Sequence, residues 1–258
     1  MLALLSLAAL FPTFALAAPA PSEWTYKTAL KEFEVPTNWS AGAHKGYSVS
    51  STCTFDERRA IGDGLDEALE LAAQARDHLR RYGNDTIFNA WFGSETDPNL
   101  LLGLYDRLVD GDKTGITFRC DDVDDECNGK YGIIPGYFRA TAKDETVVCP
   151  TYYLAKPRLE ETCVNRWTLA NNGSELTQGA WFMHRLLHLP TGSGGRLSDV
   201  VDTVGAALEL AQGVNHTQAA YSIHTVQYYA LDVYAYDILA PGVGCRGDPN
   251  AADAQKEE

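Results

Sequence analysis

The chain has 258 residues, of which 45% are hydrophobic, and its formal net charge is −14. A surface so acidic repels phosphate backbones and anionic lipid, which excludes nucleic acid and membrane surfaces as partners. The length fits one large domain or two small ones, with ample apolar material for a core.

The run from Leu2 to Phe14 lacks charge and is followed by a small-x-small site at Ala15-Leu16-Ala17. It is too short, and too broken by Pro12, to span a bilayer, so residues 1–17 read as a signal peptide cleaved before Ala18. No later segment is long and apolar enough to cross a membrane, and the mature product is expected to be secreted and extracellular. Residues 18–50, with Pro19, Pro21 and Pro36, show no sustained period and are expected to form an N-terminal arm or an edge strand.

Thr54-Phe55-Asp56-Glu57 is a capping box, and Ile61, Leu65, Ala68, Leu69, Ala72, Ala75 and Leu79 then recur at helical spacing up to Gly83. Asp97-Pro98 opens a second helix that runs through Leu101, Leu104, Tyr105 and Leu108 to Gly111. Residues 114–165 hold turn signals at Asn128-Gly129 and Pro135-Gly136 and a β-prone run at Thr146-Val147-Val148, which predicts short strands and loops. Helices are then predicted from Leu176 to Leu189, from Asp199 to Gln212 and from about Thr217 to Leu239, the last closed by Pro241-Gly242. The polar end, 246–258, reads as a disordered tail. The whole describes one α+β, mainly helical domain over 51–245 with a small β element.

Six cysteines follow the leader: Cys53, Cys120, Cys127, Cys149, Cys163 and Cys245. An even count behind a signal peptide predicts three disulfides, with fifteen pairings open. The absence of a CxxC pair argues against a cysteine zinc cluster. Sequons at Asn38, Asn84, Asn172 and Asn215 predict a glycoprotein of the secretory pathway.

His184 and His188 stand four apart on a predicted apolar helix, so both imidazoles leave the same face one turn apart. Two ring nitrogens so placed can share one Zn²⁺ at about 2.0–2.1 Å. The same spacing also suits two histidines packed into a core. In the motif His-Glu-x-x-His the glutamate draws a proton from the attacking water. Here that position is Arg185, a permanently charged guanidinium that cannot serve as a base. Losing the base costs about 10²–10⁴ in rate.

The order of these features resembles the deuterolysin-like aspzincin metallopeptidases and their fungal lysine-specific relatives. Cys53 precedes the long alanine-rich helix. Then come Phe88-Asn89-Ala90-Trp91-Phe92, Cys149-Pro150-Thr151-Tyr152-Tyr153, Cys163, the histidine helix and Tyr228-Tyr229-Ala230-Leu231-Asp232-Val233-Tyr234. The resemblance covers about Cys53 to Cys245. It implies a zincin fold, one Zn²⁺, peptide-bond hydrolysis of a protein or peptide substrate, and the pairings Cys53–Cys120, Cys127–Cys149 and Cys163–Cys245.

It further implies a third ligand, an aspartate from a Gly-Thr-x-Asp-x-x-Tyr-Gly motif that is not intact here. Asp202, with Asp199 as the alternative, brackets the position; both also suit an acidic first turn of a helix. His216 lies inside a sequon, and His224 stands where the family usually has an aspartate, so both read as surface or packing residues rather than ligands. Glu175 or Asp202 could stand in as base, and an Arg185→Glu replacement is expected to gain chelator-sensitive activity.

Two readings of function follow: a zinc metalloendopeptidase-like protein impaired by Arg185, or a non-catalytic secreted protein that binds a metal, a peptide or a partner protein. Arg246-Gly247-Asp248 matches an adhesion tripeptide but suits any exposed turn. The tyrosines from Tyr221 to Tyr236 could line a cleft, and at helical spacing they suit core and rim packing.

Overall fold

The computed structural model describes residues 46–129, 132–164, 167–172 and 177–249. The signal peptide, most of the arm with Asn38, Glu175, the completing residues of the Asn172 sequon and the tail from 250 lie outside the described residues.

Helix α1 (Phe55–Tyr82) starts at the expected box: the Thr54 side chain accepts from the Glu57 N–H, while the Glu57 carboxylate accepts from the Thr54 N–H at 2.7 Å. A short helix α2 (Thr86–Phe92), capped by Asp85, carries the aromatic segment into the core. Helix α3 (Pro98–Asp110) begins at Asp97, as its Asp-Pro signal predicts.

Four short strands follow the order β1-β2-β4-β3. They are β1 (Ser48–Val49), β2 (Thr117–Arg119), β3 (Gly136–Arg139) and β4 (Ala142–Val148). The end of the expected arm therefore supplies an edge strand, parallel to β2. Strand β3 is antiparallel to β4, with a register shift at Phe138/Arg139.

Single helical turns α4 (Tyr152–Ala155) and α5 (Leu169–Asn172) lead to α6 (Gln178–His188) and α7 (Pro190–Ser193). Helix α8 (Val204–Gln212) begins five residues later than the sequence suggests. Its cap is Thr203, whose side chain accepts from Ala206 N–H, so Asp199 and Asp202 sit in the preceding loop and not in a first helical turn.

The last predicted helix is divided into a 3₁₀ segment (His216–Tyr221), α9 (Ile223–Tyr234) and a π-turn (Ala235–Leu239). Ser222 breaks it by capping α9. Helix α9 is buried from Ile223 to Tyr234 apart from His224, and α1 and α6 pack against it.

The three disulfides join Cys53–Cys120, Cys127–Cys149 and Cys163–Cys245, with Cα separations of 4.9, 5.6 and 5.5 Å. Among the described residues, no helix is long and apolar enough to cross a membrane. Arg246 is anchored, not loose: its Nε donates to Asp232 Oδ2 at 2.8 Å and its guanidinium lies over the Trp91 ring. The Trp91 indole N–H donates to the same oxygen, so the arginine of the adhesion-like tripeptide faces inward.

Helix α6 is the element on which the site depends, and α1 holds it closely. A side chain at Gly64 would meet Phe182 at 2.5 Å, and one at Gly179 would meet Glu67 Cβ at 2.5 Å. The first turn of α6 is also tied electrostatically. The buried Glu67 carboxylate of α1 accepts from Gly179 N–H at 3.0 Å and Leu159 N–H at 3.1 Å, and pairs with Arg158.

Elsewhere His78 of α1 lies buried between Asp85 (3.1 Å) and Asp237 (2.8 Å), tying α1 to the α2 cap and the π-turn. Removing the Glu67 acceptor leaves two buried N–H groups unsatisfied. Glu67→Ala is expected to cost about 3 kcal/mol in urea denaturation, and Glu67→Gln, which keeps an acceptor oxygen, markedly less.

Candidate metal centre

Three separate pieces of chain converge on one point: the C-terminal half of α6, the loop before α8, and the first turn of α9. His184 Nε2 and His188 Nε2 are 3.0 Å apart. Asp199 Oδ2 lies 3.2 Å from His188 Nε2, and Asp199 Oδ1 lies 3.5 Å from His224 Nδ1. Ligand atoms of His184, Asp199 and His224 all fall within 4.8 Å of one another. The loop is held in place because Ser198 N–H donates to Tyr221 O and Ile223 N–H donates to Ser198 O, a parallel bridge that sets Asp199 beside His224.

Of the expected residues, His184, His188 and Asp199 are brought together. Asp202 stands at the margin, with its side chain 85% exposed and its nearest oxygen 3.8 Å from His224 Nδ1. His224, read from the sequence as packing, faces the cluster. His216 does not; it pairs with Glu95 at 3.3 Å.

The protonation of His184 can be assigned from its neighbours. The Gln227 amide Nε2 donates to Ala180 O, which turns its Oε1 toward His184 Nδ1 at 3.2 Å. His184 therefore carries its proton on Nδ1 and presents an Nε2 lone pair to the cluster. Burial, with the charges of Arg185, His188 and His224, pushes its pKa down to about 2, so the ring stays neutral.

A tetrahedral zinc with ligands at about 2.0–2.1 Å needs donor atoms about 3.3 Å apart. The His184–His188 and His188–Asp199 separations of 3.0 and 3.2 Å lie near that spacing, while His184, Asp199 and His224 form the group whose ligand atoms are mutually within 4.8 Å. His224 Nδ1 is shielded from solvent and has no hydrogen-bond partner among the described residues, as a nitrogen reserved for a cation would be. Three imidazoles with one carboxylate suit zinc among the common divalent ions.

Arg185 lies beside this cluster but is turned into aromatic packing. Its guanidinium stacks over Phe138 (4.5 Å) and over Trp181 (4.8 Å), while the Phe138 ring touches His188 at 4.6 Å. The register shift of β3 at Phe138/Arg139 falls at this contact. Nearby carboxylates are committed elsewhere. Asp144 accepts from Thr191 N–H and Oγ1, and Glu145 accepts from Arg139. Of the tyrosines, Tyr228 stacks on Trp91 and donates to Asp202 O, and Tyr229 packs among Phe88, Phe92 and Tyr105, so both belong to the core.

Gln227 could have been noticed in the sequence. It lies three residues after His224, so two polar groups share one face of that helix.

In structure, the chain is similar to the zinc peptidase of Grifola frondosa: TM-score 0.50 and 16% identity, over 70% of this chain and 97% of that one. That likeness establishes the zincin-type fold. In sequence it is 36% identical to the major allergen Asp f 2 of Aspergillus fumigatus, over 98% of this chain and 82% of the relative. It is 34% identical to the pH-regulated antigen PRA1 of Candida albicans, over 93% and 78%. It is 29% identical to protein ZPS1 of Saccharomyces cerevisiae, over 92% and 94%. The HRXXH family model, described as "Putative peptidase family", matches residues 3–248, and its signature is the His184-Arg185-Leu186-Leu187-His188 turn of α6; the chain belongs to this family.

Proposed function

We propose that this protein is a secreted zinc-binding member of the peptidase scaffold in which peptide hydrolysis is absent or severely reduced. His184, His188, His224 and Asp199 hold the ion, and Gln227 fixes the tautomer and orientation of His184. The observation that carries this reading is the pairing of a cluster at zinc spacing with Arg185 packed between Phe138 and Trp181.

When bound, zinc would supply Lewis acidity at this point. Hydrolysis also needs a base at the position after the first histidine, and a guanidinium cannot take a proton. Asp199 faces two histidines and is better placed to hold the cation than to move a proton. Asp202 as third ligand, with a working peptidase site, is the competing reading. Its exposure and its 3.8 Å distance from His224 weigh against it.

Three disulfides, together with relatives named as an allergen and an antigen, support an oxidising, extracellular setting. Asn84 and Asn215 are exposed and open to glycan attachment.

Metal analysis of dialysed protein is expected to return about one zinc per chain, falling in His184→Ala and in His224→Ala but not in Asp202→Ala. Casein cleavage is expected to be undetectable; chelator-sensitive cleavage that disappears in Asp202→Ala would favour the competing reading. Gln227→Leu is expected to weaken zinc binding by about 10–100-fold in a competition titration, because the histidine loses its orienting partner. Arg185→Glu is expected to stay inert, against the sequence-based expectation, and to lower stability by about 2 kcal/mol or more. It places a carboxylate against two aromatic faces that favour a cation, and thermal unfolding beside a casein assay checks both points.

A further inference from the structure

A cavity of about 600 Å³ opens between α3, the loop after α7 and the 3₁₀ segment, and none of its lining residues belongs to the metal cluster. Leu100, Leu104, Leu197 and Tyr221 form its apolar walls, and Arg107 and Arg196 stand on its rim. Among the described residues no carboxylate lines it.

The chain as a whole carries a net charge of −14. Arg76, Arg80, Arg119, Arg139, Arg158 and Arg246 each pair with an acidic side chain. Neither Arg107 nor Arg196 has an acidic partner among the described residues. Arg107 is nonetheless held in position, its Nε and Nη2 donating to the Thr191 carbonyl at 3.2 and 3.0 Å. Two guanidiniums over an apolar floor, in a space of ordinary ligand size, present matched recognition for a carboxylate attached to an apolar body.

We infer that this cavity is a binding site for an apolar ligand bearing a carboxylate, the chemistry of a peptide carboxyl terminus or of a free organic acid. The site is separate from the zinc reading. It adjoins the metal centre through the Ser198–Ser222 bridge, whose two segments carry Leu197 and Tyr221 to the cavity and Asp199 and His224 to the cluster.

The test is fluorescence anisotropy on the full-length protein at low salt with chelator present, so that bound metal takes no part. The probe is a dye-labelled hydrophobic tripeptide ending in a free leucine carboxylate. The free acid is expected to bind at least about tenfold more tightly than the same peptide with an amidated end. Added salt weakens it. Arg196→Gln is expected to cost about tenfold, and Arg196→Lys less. Arg196 is exposed, so an unchanged thermal melt separates lost recognition from lost fold. Unlabelled octanoate displaces the peptide if free acids are the source, and fails to do so if a peptide terminus is required. Equal binding of acid and amide, or full affinity in Arg196→Gln, overturns the proposal.

Discussion

Helix α6 is buried from Gly179 to Leu187, so the charged or titratable side chains it carries need compensating neighbours inside the protein. Everything at the site follows from that constraint. His184 meets it through Gln227, Arg185 through two aromatic faces, and His188 through Asp199 and the neighbouring imidazole. The helix is fixed at its other end by Glu67 and pressed onto α1 at Gly64 and Gly179, which leaves it little freedom to rearrange.

The arginine inside the histidine turn is part of the signature of the family to which the chain belongs, and the packing around it shows what it does for the fold. A glutamate beside the first histidine would need a polar, water-accessible surrounding to work as a base. Arginine instead presents a flat cation whose faces suit aromatic stacking, and Phe138 and Trp181 provide it. Phe138 also contacts His188, so β3, Arg185 and the metal-facing imidazole form one packed unit. This cation thereby acts as a fixture of the sheet against the helix.

Much of the fold was legible because its signals are local. The Thr54–Glu57 box, the Asp97-Pro98 start and the Gly83 and Gly111 stops are set by hydrogen bonds within a few residues, and each is where the sequence puts it. The disulfide pairing followed from family resemblance, since composition alone leaves fifteen schemes open.

The failures are equally physical. Helix α8 was extended back to Asp199 because periodicity cannot see the bridge between Ser198 and Ser222, a contact between distant segments. The same bridge sets Asp199, the alternative offered by the sequence, nearer His224 than Asp202. From sequence His224 reads as packing because an imidazole on a helix rich in apolar residues suits a core, and the tertiary fold shows its Nδ1 facing Asp199 with no hydrogen-bond partner among the described residues.

The site is therefore a property of the folded chain and not of a motif. His184 and His188 share one helix, but Asp199 comes from a loop with no regular structure of its own and His224 from the helix after it. A metal bound by all of them would bind the native state and not the unfolded chain, adding stability in proportion to the logarithm of its concentration over its dissociation constant. The loop between α7 and α8 stands to gain most, because its ordering rests on one bridge and a few side-chain contacts. Metal occupancy and loop order should then rise and fall together.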